Sequence, residues 1–163
     1  MEYLLRGVTL TRKNKERRII QPKKIYGKIE KEGTIRELTA VIKLLKEGYR
    51  VSMPIGSQRY DLIAERYPKY IRIQVKNLKL EYRSDPNKPS SIDQWVINAY
   101  TTPKGVKKTY SKEDTDVIFA IDLENDAFAI VSMKSVPKSG VVKISERSDR
   151  KQYLNSFDAL KEV

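Results

Sequence analysis

Apolar residues recur at Ile35, Leu38, Ile42 and Leu45, at spacings of three, four and three. That period predicts a helix over residues 34–47. Gly33-Thr34 opens it, and Gly48 closes it as the residue just past its end. Thr34-Ile35-Arg36-Glu37 has the T-x-x-E form of a capping box, which puts Glu37 in the first turn. Beyond Gly48 the period shortens to two or gives way to unbroken apolar runs. "YRVSMP" reads as a strand stopped at Pro54, "IGSQR" as a turn and "YDLIAE" as a second strand. "RYPK" is a tight connection into the long strand "YIRIQVKNLKLEY", and "RSDPNKPSSID" is an exposed loop. "QWVINAYTT" is a fourth strand, followed by the basic loop "PKGVKKTYSKE". "DVIFAIDL" and "AFAIVSM" form a hairpin around Glu124-Asn125-Asp126, and "GVVKIS" is a further strand. Residues 151–163 read as a closing helix.

One helix, several strands and a late helix predict an α/β fold: a mixed central β-sheet flanked by helices, not a doubly wound one. The first helix is expected to pack on one face of the sheet. Residues 1–32 stand apart as a basic N-terminal arm before a domain over 33–163. Between Thr11 and Glu32 lie nine basic residues, among them Arg12, Lys13, Lys15, Arg17 and Arg18, against Glu16, Glu30 and Glu32. A short apolar piece from Arg18 to Tyr26 reads as a strand. A DNA-contacting extension and a solvated leader both fit this arm.

Composition narrows the chemistry. The chain has 163 residues, enough for one domain with a real core. Its 33 Lys+Arg against 21 Asp+Glu leave a net charge of +12, which favours a polyanionic partner, nucleic acid first. With no cysteine there is no disulfide, zinc knuckle or thiol nucleophile. With no histidine the commonest general base is gone, and so are the Ser-His-Asp triad and histidine–metal motifs. Carboxylates, amides, lysines and hydroxyls remain, a donor set that suits Mg²⁺ or Mn²⁺ better than zinc. No apolar run approaches the roughly 20 residues of a membrane span, so a soluble, intracellular (cytoplasmic) chain is expected, with no membrane partner.

Three polar groups interrupt strands that otherwise look buried. In "YIRIQVK" the side chains alternate, so Arg72, Gln74 and Lys76 share one face, with neighbours about 7 Å apart. Asp61 opens the preceding strand, and a short connection can bring it beside Gln74. Glu37, four residues before Val41 and seven before Leu44, borders the helix face expected to meet the sheet. Capping explains Glu37, and a solvated polar face is the ordinary explanation of the strand alternation.

The order G-x-x-x-E, helix, "EGYRVSMPIGSQRYDL", then "IQVK" resembles the PD-(D/E)XK nuclease superfamily. Its core carries a Glu on a helix, an Asp on a strand and (D/E)-x-K on the next strand, here matched by Glu37, Asp61, Gln74 and Lys76. Gln74 departs from the usual acid. Q-x-K resembles the branch that contains a group I intron homing endonuclease, and "KKTYSKEDTDVIFAIDLENDAFAIV" is similar to that branch as well. The likeness runs from about Gly33 to Ile144 and leaves out the arm. Archaeal Holliday junction resolvases share the helix and the "GS…DL" turn but usually keep the acid.

The resemblance implies a Mg²⁺-dependent DNA endonuclease, with Mn²⁺ able to substitute. Asp61 would ligate the metal directly, with the Gln74 amide oxygen and the Val75 carbonyl as further ligands. Glu37 would act through water or orient the site. Lys76 would position the attacking water and steady developing charge. One negative charge fewer at Gln74 implies weaker metal binding. DNA contacts are expected from Arg36, Ser57, Lys79, Arg83, the cluster Lys104, Lys107 and Lys108 with Tyr110 free to stack, and the arm; these are phosphate-grade contacts. Cutting both strands of a duplex implies a homo-oligomer, dimer or tetramer. A junction resolvase and a nucleic-acid-binding module with a decayed site remain alternatives.

Overall fold

The computed structural model describes residues 28–82 and 93–163. The cationic residues of the arm from Arg12 to Arg18, the apolar piece after them, and Arg83 lie outside the described residues.

Helix α1 runs over Lys28–Lys46, so it begins well before Thr34. Thr34 is interior, and its hydroxyl donates to the Glu30 carbonyl at 3.1 Å. The expected capping box therefore does not form. The C-terminal stop is as expected. Gly48 adopts φ +81°, its N–H reaches the Leu45 carbonyl, and the Tyr49 N–H reaches the Leu44 carbonyl. These two bonds are the Schellman motif, which only a residue tolerant of left-handed backbone completes without strain.

The face of α1 that meets the sheet is not the stripe that betrayed the helix. Ala40 and Leu44 are fully buried, with Val41 packed beside them. Ile35, Leu38, Ile42 and Leu45 are each about half exposed, at 49%, 50%, 54% and 53%. With 3.6 residues per turn they lie on the opposite side of the cylinder.

The strands are β1 (Arg50–Ser52), β2 (Leu62–Arg66), β3 (Lys69–Glu81), β4 (Gln94–Asn98), β5 (Tyr100–Thr101), β6 (Lys108–Thr109), β7 (Val117–Asp122), β8 (Ala127–Ser132) and β9 (Val141–Ser145). Seven form one mixed sheet in the order β1-β2-β3-β4-β9, with β7 parallel to β3 and β8 antiparallel to β7. Strands β5 and β6 make a separate hairpin. The long β3 is the hub: its first half pairs with β2, its last four residues with β4, and Ile73–Asn77 with β7.

Two apolar clusters sandwich the centre of this sheet. One holds Leu44, Leu62, Ile73, Val75, Val117, Phe119 and Ile121 under α1. The other holds Leu78, Ile97, Ile118, Ala120, Val131, Val142 and Ile144. Successive β7 residues enter opposite clusters, so every position of β7 and of β8 is buried. That two-sided burial is why both read as unbroken apolar runs.

Residues after β9 do not form the expected closing α-helix. They make two short 3-10 helices, Asp149–Tyr153 and Asp158–Leu160. Asn155 turns the chain at φ +51°, and its side-chain oxygen accepts the Phe128 N–H at 3.0 Å. Phe157 then packs against Phe128 at 4.9 Å between ring centres. The Asn155 N–H donates to the Phe128 carbonyl at 2.8 Å, so docking on β8 takes a backbone donor that a continuous helix would use. No helix among the described residues is long and apolar enough to cross a membrane.

Candidate active site

Between Ile73, the last β3 residue paired with β2, and Leu78, the first paired with β4, strand β3 is joined only to β7. Gln74, Val75, Lys76 and Asn77 occupy that gap. Asp61, one residue ahead of β2, fills part of it. Its N–H donates to the Ile73 carbonyl at 2.8 Å, and its Oδ2 accepts the Val75 N–H at 2.7 Å. The carboxylate does what a neighbouring strand would otherwise do for Val75.

Gln74 is buried, 6% exposed. An unpaired buried amide costs about 1–3 kcal/mol, and this one is paired. Its Nε2 donates to Asp61 Oδ2 and, at 3.1 Å, to the Val75 carbonyl. Two oxygens thus converge on one electropositive group. The sequence reading expects the Gln74 carbonyl to face this point; the amide nitrogen faces it instead. A half-turn of the terminal amide exchanges the two atoms at little steric cost.

Electrostatics follow from burial. Asp61 is raised above the ordinary carboxylate value by burial, against the Val75 N–H, the Lys76 charge and the Gln74 amide, which lower it. Glu37 is raised by burial and then by the Asp61 charge, so the helix acid and the strand acid share one field. Lys76 is lowered by burial, pulled back up by Asp61 and pushed down again by Arg59. Each carboxylate here is costly to ionise, which an added cation would offset.

Sequence reading missed the far wall of the site. Two cations stand over the Tyr110 ring, with the Lys76 Nζ and the Arg59 guanidinium each 4.7 Å from its centre. Tyr110 is only 7% exposed, so it is not the free stacking group expected of it. Burial, with Asp61 adding to it, pushes its hydroxyl up to about 12. Arg59 is held by Asp114, with Nε to Oδ1 at 2.8 Å. Burial raises Asp114, but the Ser111 N–H and hydroxyl and Arg59 hold it below its usual value. Arg72, on the Gln74 side of β3, is committed to Asp116 at 2.8 Å and to the carbonyls of Lys112 and Glu113. It anchors the loop that delivers Tyr110. No spacing rule links residues 59, 76 and 110; only the residue types hint at them.

The expected DNA contacts separate. Lys79 is exposed and, with Lys76, Asn77, Asn98, Tyr100 and Lys143, lines a cavity of about 480 Å³ that opens beside β3. Lys107 stands 4.1 Å from the centre of the Tyr100 ring, and its ammonium donates to the Ser139 carbonyl at 2.5 Å. Lys104 and Lys108 are exposed on the same β5–β6 hairpin. Ser57 is exposed in the turn before Asp61. Arg36 is largely covered, paired with Glu32 at 3.1 Å, and lines a second cavity with Asn77, Lys79 and Asp122.

The donor set suits a hard divalent cation: Asp61 and Glu37 carboxylates, the Val75 carbonyl and, once turned, the Gln74 amide oxygen. Among the described residues no three acidic, histidine or cysteine side chains gather as a metal-binding group. The site relies on two carboxylates and neutral oxygens.

A family profile described as PD-(D/E)XK endonuclease matches residues 28–162. No curated protein matches the sequence. Among solved structures, a bacterial homing endonuclease, I-Ssp6803I, is similar with a TM-score of 0.65. It is 19% identical, and the alignment covers 83% of this chain and 95% of that one. At that identity the likeness is one of fold.

Proposed function

The chain belongs to the PD-(D/E)XK endonuclease family, and on that footing we propose that it is a divalent-metal-dependent enzyme hydrolysing DNA phosphodiester bonds. The observation that carries this reading is the gap in β3 pairing, where the Asp61 carboxylate and the Val75 carbonyl converge on the Gln74 amide. Asp61, Val75 and Gln74 would hold Mg²⁺ or Mn²⁺, with Glu37 orienting the site. When bound, the metal polarises the phosphate and lowers the pKa of a coordinated water.

The chain's own residues supply the rest. Lys76 presents an ammonium to the charge that develops on the phosphate oxygens, where burial makes that interaction stronger than it is in water. Tyr110 and Arg59 limit where that ammonium can go. Lys79 and Lys143 draw the DNA backbone along the adjacent cavity. A homing mode of cleavage is supported by the Q-x-K order and by the fold likeness to a bacterial homing endonuclease.

One observation favours a second reading, a DNA-binding module without cleavage. Gln74 stands where an acid is usual, and its amide nitrogen faces Asp61. Wild type and Lys76→Ala, compared on supercoiled plasmid, linear duplex and a four-way junction with Mg²⁺, Mn²⁺ or EDTA, separate the two. Metal-dependent cutting lost in Lys76→Ala supports the endonuclease, and preference for the junction points to a resolvase. Binding that is indifferent to EDTA, with no cleavage of any substrate or of a randomised target library, supports the module.

A further inference from the structure

Helix α1 is apolar on two opposite sides. Ala40 and Leu44 are buried in the core, while Ile35, Leu38, Ile42 and Leu45 keep about half of their surface in water. A single exposed leucine or isoleucine is ordinary; four such residues in line on one helix are not. Their spacing of three, four and three is the a/d repeat of a coiled-coil seam. The flanking threonines do not ask for water either. The Thr34 hydroxyl donates to the Glu30 carbonyl at 3.1 Å and the Thr39 hydroxyl to the Ile35 carbonyl at 2.7 Å, which satisfies both within the helix.

We propose that this stripe is a homodimer interface in which α1 packs antiparallel against α1 of a second copy, Leu38 opposite Ile42 across a two-fold axis. Charge decides the direction. A parallel pair would set Lys31, one heptad before Leu38, against its own copy. The antiparallel pair brings Glu32 of one chain within about a turn of Lys46 of the other, at both ends of the seam, and opposes the two helix dipoles. Glu32 already pairs with Arg36 at 3.1 Å, and a carboxylate has acceptor sites for both. A two-fold contact lets one patch serve both chains. The seam from Ile35 to Leu45 is only about 15 Å long, so its strength is expected to depend on chain concentration.

The chain has no cysteine, which permits a clean test on residues 1–163. Leu38→Cys and Ile42→Cys chains, mixed and oxidised, are expected to cross-link to each other more than either does to itself. Sedimentation of wild type over a hundredfold concentration range is expected to show dimer. The Leu38→Glu/Ile42→Glu double variant, with unchanged circular dichroism, is expected to stay monomeric. Wild-type monomer throughout, or self-association unchanged in the double variant, overturns the interface. Preferential 38-to-38 cross-linking overturns the antiparallel arrangement. A Leu38→Cys thiol shielded in a monomer, and freed by removing residues 1–27, shows that the chain covers its own stripe and also overturns the proposal. None of these outcomes depends on nuclease activity.

Discussion

The Asp61 carboxylate accepts the backbone N–H of Val75 at 2.7 Å. The acid ahead of β2 is thereby fixed by the strand that carries Gln74 and Lys76, and the same oxygen takes the Gln74 amide. The parts of the site substitute for strand pairing missing on one edge of β3.

Gln74→Glu puts a second carboxylate against Asp61. Without metal the two charges repel, and the melting temperature is expected to fall by about 2–4 °C. With Mg²⁺ the extra charge is an added ligand, and affinity is expected to rise about tenfold. Calorimetric metal titration and thermal denaturation with and without Mg²⁺ check both signs. Loss of metal binding would remove Gln74 from the proposed ligand set.

Glu37→Gln tests the shared field of the two acids. Glu37 is raised by burial and by Asp61. The folded chain therefore holds the Glu37 proton more tightly than the unfolded chain, and wild type loses stability as pH rises from the unfolded pKa, about 4.3, through the raised folded value. The amide does not ionise. Metal-free Glu37→Gln is expected to be more stable than wild type at neutral pH, with the gain vanishing below about pH 4. Thermal melts across pH 3–8 in EDTA report it; a gain that persists at acid pH would assign the effect to packing.

Arg59→Gln acts on Lys76 through space. Burial lowers the Lys76 pKa and Arg59 adds to that, while the role proposed for Lys76 needs the charged ammonium. Removing that neighbour is expected to move the alkaline limb of the cleavage profile upward. Single-turnover rates from pH 7 to 10.5 decide it. An unmoved limb would mean that Arg59 serves only to hold Asp114.

Lys79→Ala and Lys143→Ala test the cavity beside β3. Each phosphate contact is expected to contribute about 0.9 to the slope of log affinity against log salt. Each substitution should lower that slope by about this amount, measured in Ca²⁺ on a fixed duplex. A slope unchanged in both would move the DNA path away from this cavity.

Much of the fold is legible in local pattern. The unbroken runs of β7 and β8 announce strands buried on both faces, and Gly48 announces a left-handed helix stop. The alternation Ile73-Gln74-Val75-Lys76 announces that two polar groups share a side. Other features carry no local mark. The stripe from Ile35 to Leu45 reveals the helix but not which way it faces. Thr34-x-x-Glu37 has the letters of a capping box, yet the helix passes through it. Residues 151–163 look helical until Asn155 and Phe157 dock on β8.

By itself the sequence determined the chemistry available here. Without histidine or cysteine, only oxygen donors and ammonium groups remain, and Asp61, Gln74 and Lys76 sit at spacings that strand geometry turns into neighbours. Tertiary structure alone decided that β3, paired with β7 on one edge, has no strand on its other edge between Ile73 and Leu78, so that Asp61 and Gln74 replace one. It alone decided that Tyr110, thirty-four residues after Lys76, comes to lie against both Lys76 and Arg59. The physical reason is range. Periodicity and turn chemistry act over a few residues, whereas pairing gaps and aromatic contacts depend on which elements the whole core brings together.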